Sequence, residues 1–339
     1  MNNNMKYILL KGWPPAAKEF AIRPDAVYCQ RHDAQQPDEL FTKARTWLEA
    51  IQNAPLNELQ DVVTKEIQDA MVRAIFGSNQ IERAGLNLHI TIHLCRMILN
   101  GEDVGAISEG DLDCQSTLLD LYRRDPSLQK LRIKDVLRSR NEVVQHCKAF
   151  IFLIEQFVFE KKHLTESLIQ EAHRILVEGV PITDCDGPDV QPKEYGGVYR
   201  TVVVGAGTTN FTVPKFVPAK MKKMCEDLKD ELEAAEENKV IDPISTAAKY
   251  SLEFVQIHPF MDGNGRVCRL ILNVILCRYA GVIVPIGEEE AEREEYMQIK
   301  RDSSEKMEGH GEYATFILIR ATRRIREMKK KLSGKTPKH

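Results

Sequence analysis

The sequence lacks a long hydrophobic run. Its longest uninterrupted apolar stretch, residues 149–154, is far shorter than the roughly 18 residues that a membrane-spanning helix needs. The opening segment MNNNMKYILLKGW has no full apolar region of the kind that marks a secretory signal peptide. We therefore expect neither membrane insertion nor secretion.

A surplus of charge of either sign is also missing. The chain has 47 Lys and Arg against 50 Asp and Glu, a formal net charge of -3. Its overall field therefore gives no general attraction to nucleic acid or to a membrane surface. The eight cysteines include no CxxC pair, and most lie in apolar, helical patterns. We interpret them as reduced core thiols and expect a cytoplasmic or nuclear protein.

Strand signals are scarce, and helical periodicity covers most of the chain. Apolar residues recur at spacings of three and four in many segments. These segments are 39–53, 56–76, 86–99, 133–159, 166–179, 220–237 and 243–257. Gly77 predicts a break after the second of them, and Asp242-Pro243 predicts the N-cap and first residue of the last. At 339 residues, one large helical body or two sub-domains is expected.

Residues 181–218 differ from the rest in being rich in glycine and β-branched residues. The run Thr201-Val202-Val203-Val204 follows Gly196-Gly197 and precedes two more glycines. This pattern predicts a β-hairpin with strands at 199–204 and 210–213, closed around 205–209.

The segment 258–269 reads HPFMDGNGRVCR and leads into an apolar helix. A glycine-rich loop that feeds a helix can point several backbone N–H groups at one spot, where the helix dipole favours negative charge. Arg266 and Arg269 are three residues apart, so on a helix they can reach different oxygens of one polyphosphate. The segment therefore predicts a triphosphate site.

Two further side chains of this segment point to catalysis. Asp262 offers a hard oxygen ligand for Mg²⁺ beside the phosphates, and His258, with an ordinary pKa of about 6.5, can accept a proton at neutral pH. Together they predict nucleotidyl or phosphoryl transfer, in which a hydroxyl deprotonated by His258 attacks phosphorus directly. Taken singly, such a histidine, a GNG turn and two helix arginines are more often structural.

As one string, residues 258–269 match every defined position of HPFxDGNGRxxR, the signature of the Fic family. The chain resembles that family from about residue 133 to residue 319, including LIQEAHRIL at 168–176 and GVYR at 197–200. The resemblance implies an all-α fold: a helical bundle with a small β-hairpin, the flap, at about 199–213. It also implies transfer of AMP from ATP to a Ser, Thr or Tyr hydroxyl of a protein.

The resemblance assigns roles within the signature. It implies that His258 is the general base and that Asp262 holds Mg²⁺ at the α- and β-phosphates of ATP. The phosphate-binding residues that it implies are Gly263, Asn264, Gly265, Arg266 and Arg269.

The resemblance also implies a protein substrate. An extended target segment would add as a strand along the flap, at Thr201, Val202 and Val203. Members of the family often dimerise, which predicts a homodimer here by analogy alone.

A second family feature is an inhibitory helix with Ser or Thr, three residues, Glu, and then Gly or Asn. Residues 78–82, SNQIE, are similar to it, but Arg83 stands in the last place. The resemblance implies that Ser78 and Glu82 are regulatory, with Glu82 paired to Arg269 in the place of the γ-phosphate. The alternative is that Glu82 is an exposed helix residue.

We divide the chain into a helical N-terminal region, residues 1–130, and a catalytic core, residues 131–339, that ends in a basic helix. The sequence leaves alternatives to AMP addition open. One is Glu82-dependent removal of AMP from a modified protein, and another is transfer of a different phosphate-containing group. A third is a helical interaction module without catalysis.

Overall fold

Helices make up nearly all the regular structure of the described chain. The computed structural model describes residues 20–29, 36–52, 56–183, 188–205, 211–306 and 309–334. The α-helices are α1 (Pro37–Gln52), α2 (Leu56–Ile81), α3 (Leu88–Leu99), α4 (Cys114–Arg124), α5 (Ile133–Leu153), α6 (Glu166–Leu176), α7 (Pro192–Tyr195), α8 (Val217–Asn238), α9 (Pro243–Ile257), α10 (Asn264–Ala280), α11 (Glu290–Lys306) and α12 (Gly311–Leu332). The predicted all-α class is confirmed. None of the helices within these ranges is both long and apolar enough to cross a membrane.

Helix α10 is the central element. Every residue in it except Gly265 is buried, as expected for a helix that is apolar on most of its surface. It packs against α9, α5, α6 and α2, and a π-helical turn, Ile154–Phe159, extends α5 along it. The loop 258–263 between α9 and α10 is therefore held between two core helices.

Local sequence signals set the ends of these two helices. Oδ1 of Asp242 accepts hydrogen bonds from the backbone N–H groups of Ile244 and Ser245, at 3.1 and 3.0 Å. This confirms the predicted cap of α9. Gly281, with φ 71°, ends α10 in the left-handed conformation that glycine readily adopts. Asp242 directly follows β2 (Val240–Ile241), which pairs in parallel with β1 (Ala21–Ile22).

Helix α2, which contains the SNQIE motif, is longer than the sequence predicted. The expected break at Gly77 is wrong, because the helix continues to Ile81. A Cβ at Gly77 would overlap the carbonyl oxygen of Ile286. This glycine therefore allows α2 to pack closely against the segment after α10, and it does not end the helix.

The predicted hairpin strands are not formed in the described residues. Residues 199–205 and 211–213 contain no β-strand, and of the predicted turn, 205–209, residues 206–209 lie outside the described residues. Backbone groups that would form the hydrogen bonds of the predicted hairpin have other partners. The carbonyls of Val202 and Thr212 accept from the guanidinium of Arg200, and the N–H of Thr212 donates to Gln256 O at 3.4 Å. We keep the name flap for residues 199–213.

The cysteines are mainly core residues. Cys95, Cys114, Cys147, Cys225, Cys268 and Cys277 are buried thiols without a disulfide. Cys185 lies outside the described residues.

Candidate active site

His258 has a left-handed backbone conformation at the end of α9. Its φ is 52° and its ψ is 61°, and its backbone N–H donates to Phe254 O at 3.0 Å. A residue that carries a Cβ costs about 1–2 kcal/mol in this region. Such conformations persist only where the surrounding fold holds them, and they cluster at functional sites. His258 is therefore fixed in a strained position.

The imidazole of His258 is neutral at pH 7 and has a defined tautomer. Burial lowers its pKa to about 4. Nδ1 lies 3.2 Å from Val255 O, and since a carbonyl oxygen can only accept, Nδ1 carries the proton. The ring stacks on Phe211 with the ring centroids 3.7 Å apart. Nε2 therefore keeps its lone pair and can accept a proton.

Two buried side chains hold the loop after His258. The Asn264 amide donates to Phe260 O at 2.8 Å and accepts from Phe260 N–H at 2.9 Å. His173 accepts from Gly197 N–H at Nδ1, at 2.8 Å, so its Nε2–H donates to Asp262 O at 2.9 Å. The Asn264 side chain is thus occupied, which leaves its backbone N–H as the group that can bind a phosphate.

The first turn of α10 has a surface that favours anions. The first N–H groups of a helix have no carbonyl partner within it, and they lie at the positive end of the helix dipole. Gly263, with φ 76°, precedes this turn. A Cβ at Gly265 would overlap Oε1 of Glu82, so the Glu82 carboxylate lies directly against the start of the helix.

Arg266 is buried and only partly satisfied. Its Nη2 donates to Oδ2 of Asp262 at 3.2 Å, whereas Nε and Nη1 have no hydrogen-bond partner among the described residues. A buried polar group left unpaired costs about 1–3 kcal/mol, and more when it is charged. The guanidinium therefore suits an anionic ligand. The Asp262 side chain is 39% exposed and can reach a solvent cation.

Arg269 is bound by the end of α2. Nη2 lies 2.5 Å from Oε1 of Glu82 and 3.1 Å from Ser78 O, and Nε lies 2.7 Å from Ser78 Oγ. Burial acts to lower the pKa of Arg269, but the Glu82 carboxylate together with the neighbouring Tyr296 and Cys268 outweighs it, and the pKa is raised. Both residues of the SNQIE motif that we expected to be regulatory thus contact a predicted phosphate-binding arginine.

Arg83 has a left-handed backbone, with φ 53°. The turn is closed by Ala84 N–H, which donates to Asn79 O at 2.9 Å. Glycine and asparagine tolerate this conformation better than arginine does, which explains the family preference for them at this place. The Arg83 side chain lines an open groove that it shares with Glu290 and Glu294. Arg83 does not prevent Glu82 from reaching Arg269.

A cavity of about 780 Å³ opens beside His258. Its lining includes Phe211, which stacks on the imidazole, and Ile257, which precedes His258 in the chain. Its size is in the range of small-molecule sites. It is lined in addition by Thr212, Val213, Phe216, Lys220, Lys249, Leu252, Glu253, Gln256, Ser303, Gly309 and His310.

The described part of the flap consists of two arms, residues 199–205 and residues 211–213. The predicted docking residues lie on the first arm. Thr201 is exposed, and Val202 and Val203 are 49% and 84% exposed. Sequence reasoning missed the roles of two flap residues that touch His258, namely Arg200 and Phe211. The GVYR step pointed to Arg200 without a role, whereas nothing in the pattern singled out Phe211.

The described residues contain no group of three or more His, Cys, Asp or Glu side chains that could hold a metal ion. This finding does not bear against Mg²⁺ at Asp262. In nucleotide sites Mg²⁺ is commonly bound by one or two carboxylates together with phosphate oxygens and water.

Comparison with known sequences identifies relatives of this region. The sequence profile of the Fic/DOC family matches residues 163–276, which include His173 and the whole of 258–269. A Fido domain-containing protein of Dictyostelium discoideum is 33% identical over 106 residues, which cover 31% of this chain and 69% of that protein. Protein adenylyltransferase fic-1 of Caenorhabditis elegans is 34% identical over 154 residues, 44% of this chain. The chain spans 27% of the length of fic-1.

The solved structure of residues 134–508 of Fic-1 from Caenorhabditis elegans has a similar fold. The TM-score is 0.62, and the match covers 88% of this chain and 74% of that one. At 20% sequence identity this likeness shows a shared architecture.

Proposed function

Because this chain belongs to the Fic/DOC family, we propose that it is a protein adenylyltransferase, which moves AMP from ATP to a hydroxyl side chain of another protein. One observation carries the proposal. The loop 258–263 has a neutral base, His258, at one end, and at the other it meets the start of α10 and the partly unpaired Arg266. A base beside a site for phosphate is the minimum that such a transfer needs.

The acceptor is a Ser, Thr or Tyr hydroxyl. Its oxygen attacks the α-phosphorus of ATP, and its proton passes to Nε2 of His258. The bond from the α-phosphorus to the bridging oxygen breaks, and pyrophosphate leaves. The contact of Nδ1 with Val255 O holds the ring in the tautomer that this step requires. A covalent enzyme intermediate is not needed.

The phosphates are assigned to the start of α10. We place the α- and β-phosphates at the backbone N–H groups of Gly263, Asn264 and Gly265, and the remaining oxygens at Arg266 and Arg269. Mg²⁺ is assigned to Asp262, where it would neutralise phosphate charge when bound.

Glu82 is assigned an inhibitory role. Its carboxylate lies on Gly265 and on Arg269, two of the groups proposed to bind phosphate. Ser78 adds two contacts to the same guanidinium. A triphosphate that needs Arg269 must displace Glu82 or bind in a pose that does not support transfer. The N-terminal region, residues 1–130, would thus regulate the core, residues 131–339, through α2.

The protein substrate is assigned to the flap. Thr201, Val202 and Val203 are exposed, and an extended target segment could pair with the backbone of this stretch, apart from the Val202 carbonyl that Arg200 binds. Such pairing would position a hydroxyl with little dependence on the amino-acid sequence of the target.

The second candidate function is removal of AMP from a modified protein. It is favoured by the position of Glu82, whose carboxylate is 35% exposed and lies at the proposed phosphate site. A water held by Glu82 would attack the phosphorus, and the protein hydroxyl would leave with a proton. AMP would be released.

The test uses α-labelled ATP and Mg²⁺ with the wild-type, Glu82→Gly and Glu82→Gly/His258→Ala proteins. Label is scored on the enzyme and on proteins of a lysate. We expect strong labelling by Glu82→Gly that disappears in the double variant. General-base loss costs about 10²- to 10⁴-fold in rate. A folded Glu82→Gly protein that labels nothing contradicts the proposal. In that case, Glu82-dependent release of AMP from a pre-labelled protein would support the second candidate.

A further inference from the structure

Arg200 is a buried residue whose side chain is bound by backbone carbonyls. It is 3% exposed. Nε donates to His258 O at 2.5 Å, and Nη1 donates to Val202 O at 2.9 Å. Nη2 donates to Thr212 O at 2.6 Å and more weakly to Ile257 O at 3.4 Å. A single guanidinium thus joins four carbonyls from three segments of the chain.

The four carbonyls belong to two structures that must act together. Those of Ile257 and His258 end α9, where the last carbonyls have no partner within the helix and a cation is favoured by the dipole. Those of Val202 and Thr212 lie on the two arms of the flap. The backbone N–H of Arg200 also donates to Pro259 O, at 2.8 Å, on the other side of His258.

The second arm of the flap reaches the imidazole as well. Phe211 precedes Thr212 and stacks on the His258 ring with a centroid distance of 3.7 Å and an interplanar angle of 18°. Arg200 therefore holds the peptide of His258, and the arm that Arg200 also holds packs on its ring. Any shift of either arm by about the length of a hydrogen bond must break bonds to this guanidinium.

We propose that Arg200 is a positioning residue that couples the flap to the catalytic base, so that the position of the flap determines the orientation of His258. The planar guanidinium suits this task, because its donors form a fixed fork that can meet several acceptors at once. An ammonium group on a flexible stem cannot reproduce that geometry. Arg200→Lys therefore keeps the charge and removes the coupling.

The first readout is spectroscopic and needs no activity. In ¹⁵N-labelled protein at pH 7, the ring nitrogens of His258 report its tautomer, and the signal is assigned by its absence in His258→Ala. We expect the Nδ1–H tautomer in the wild type and a mixture of tautomers in Arg200→Lys. The matched control is Arg278→Lys, because Arg278 is also buried and bonded to two carbonyls, those of Phe157 and Lys162.

The second readout is kinetic, and it rests on the proposed function. In the Glu82→Gly background, Arg200→Lys should lower kcat for AMP transfer by about 10²-fold, as expected for a base that is slightly misplaced. The Kd for a non-hydrolysable ATP analogue should change less than about twofold. Arg278→Lys should leave both values unchanged. A general loss of structure would instead weaken nucleotide binding and the tautomer signal in both variants.

The two readouts distinguish a failure of the proposed function from a failure of the coupling through Arg200. If Glu82→Gly transfers no AMP, the proposed function fails, while the tautomer measurement still tests Arg200. The coupling is overturned if the His258 tautomer in folded Arg200→Lys is that of the wild type. It is also overturned if kcat is unchanged, or if nucleotide affinity falls as much as kcat does.

Discussion

Oε1 of Glu82 lies 2.5 Å from Nη2 of Arg269, although the two residues are 187 positions apart in the sequence. Glu82 follows the last residue of α2, and Arg269 lies in the second turn of α10. The Arg269 side chain is 5% exposed, so its buried positive charge is compensated by the Glu82 carboxylate and by a hydrogen bond to Ser78. Nucleotide binding and the position of α2 should therefore be linked.

The first prediction concerns stability without nucleotide. Glu82→Gly leaves Arg269 buried without its carboxylate partner and should lower the free energy of unfolding by about 1–3 kcal/mol. Glu82→Gln keeps a hydrogen-bond acceptor and should lose less. ATP with Mg²⁺ should raise the Tm of Glu82→Gly more than that of the wild type. Equal increases of Tm with ATP and Mg²⁺ in the two proteins would contradict a link between nucleotide binding and the position of α2.

The second prediction concerns Arg83. Arg83→Gly relieves a left-handed conformation that is unfavourable for a residue with a Cβ, and should stabilise the protein by about 1 kcal/mol. Urea unfolding measures this difference. The control is Arg96→Gly, within α3, which should destabilise by about 1 kcal/mol. Destabilisation by Arg83→Gly would show that its side chain matters more than its backbone.

The third prediction concerns pH. Burial lowers the pKa of His258 to about 4 and that of His173 to about 3, from an ordinary 6.5. Below pH 6.5 the unfolded chain binds protons that the folded chain does not, so stability falls with pH until the folded pKa values are reached. At pH 5 the expected loss is roughly 2 kcal/mol for each histidine.

Urea unfolding between pH 7 and pH 4.5 tests whether the free energy of unfolding falls as the pH falls. His258→Ala should make the fall in stability shallower, because one of the histidines with a lowered pKa is gone. His163→Ala, at an exposed position, is the control for the loss of a histidine side chain. Stability that rises as the pH falls from 7 to 5 would contradict the prediction for both histidines.

The fourth prediction concerns the Asn264 side chain, which holds the loop 258–263. Asn264→Ala removes both hydrogen bonds to Phe260 in a buried place and should destabilise by about 2–3 kcal/mol. Asn238→Ala removes one exposed hydrogen bond to Ala234 O and should cost less than about 0.5 kcal/mol. Chemical denaturation of the two variants gives the comparison. Equal losses would mean that Asn264 does not hold the loop.

Much of the site could be predicted from the sequence because it is local. His258, Asp262 and Arg266 lie within nine consecutive positions, and the glycines between them make the loop and helix start recognisable. The cap at Asp242 is equally local, because its acceptor serves N–H groups two and three residues ahead.

The errors arose where a residue acts through distant neighbours. Gly77 predicted a break, because glycine weakens a helix in isolation, but close packing against Ile286 O decides its role. The β-branched run at 201–204 predicted strands, but Arg200 binds the carbonyls of the two arms. Strand propensity describes fit to a sheet surface and does not ensure that a partner is available.

The sequence by itself determined the helical class, the caps of α9 and the residues of the loop before α10, because these depend on neighbours a few positions apart. The pairing of Glu82 with Arg269 was expected only by resemblance. Only the tertiary structure decided that Ser78 also reaches Arg269, and that Arg200 joins the flap to His258. The position of one helix against another comes from the packing of whole surfaces. Contacts between side chains far apart in the chain therefore follow from the complete fold.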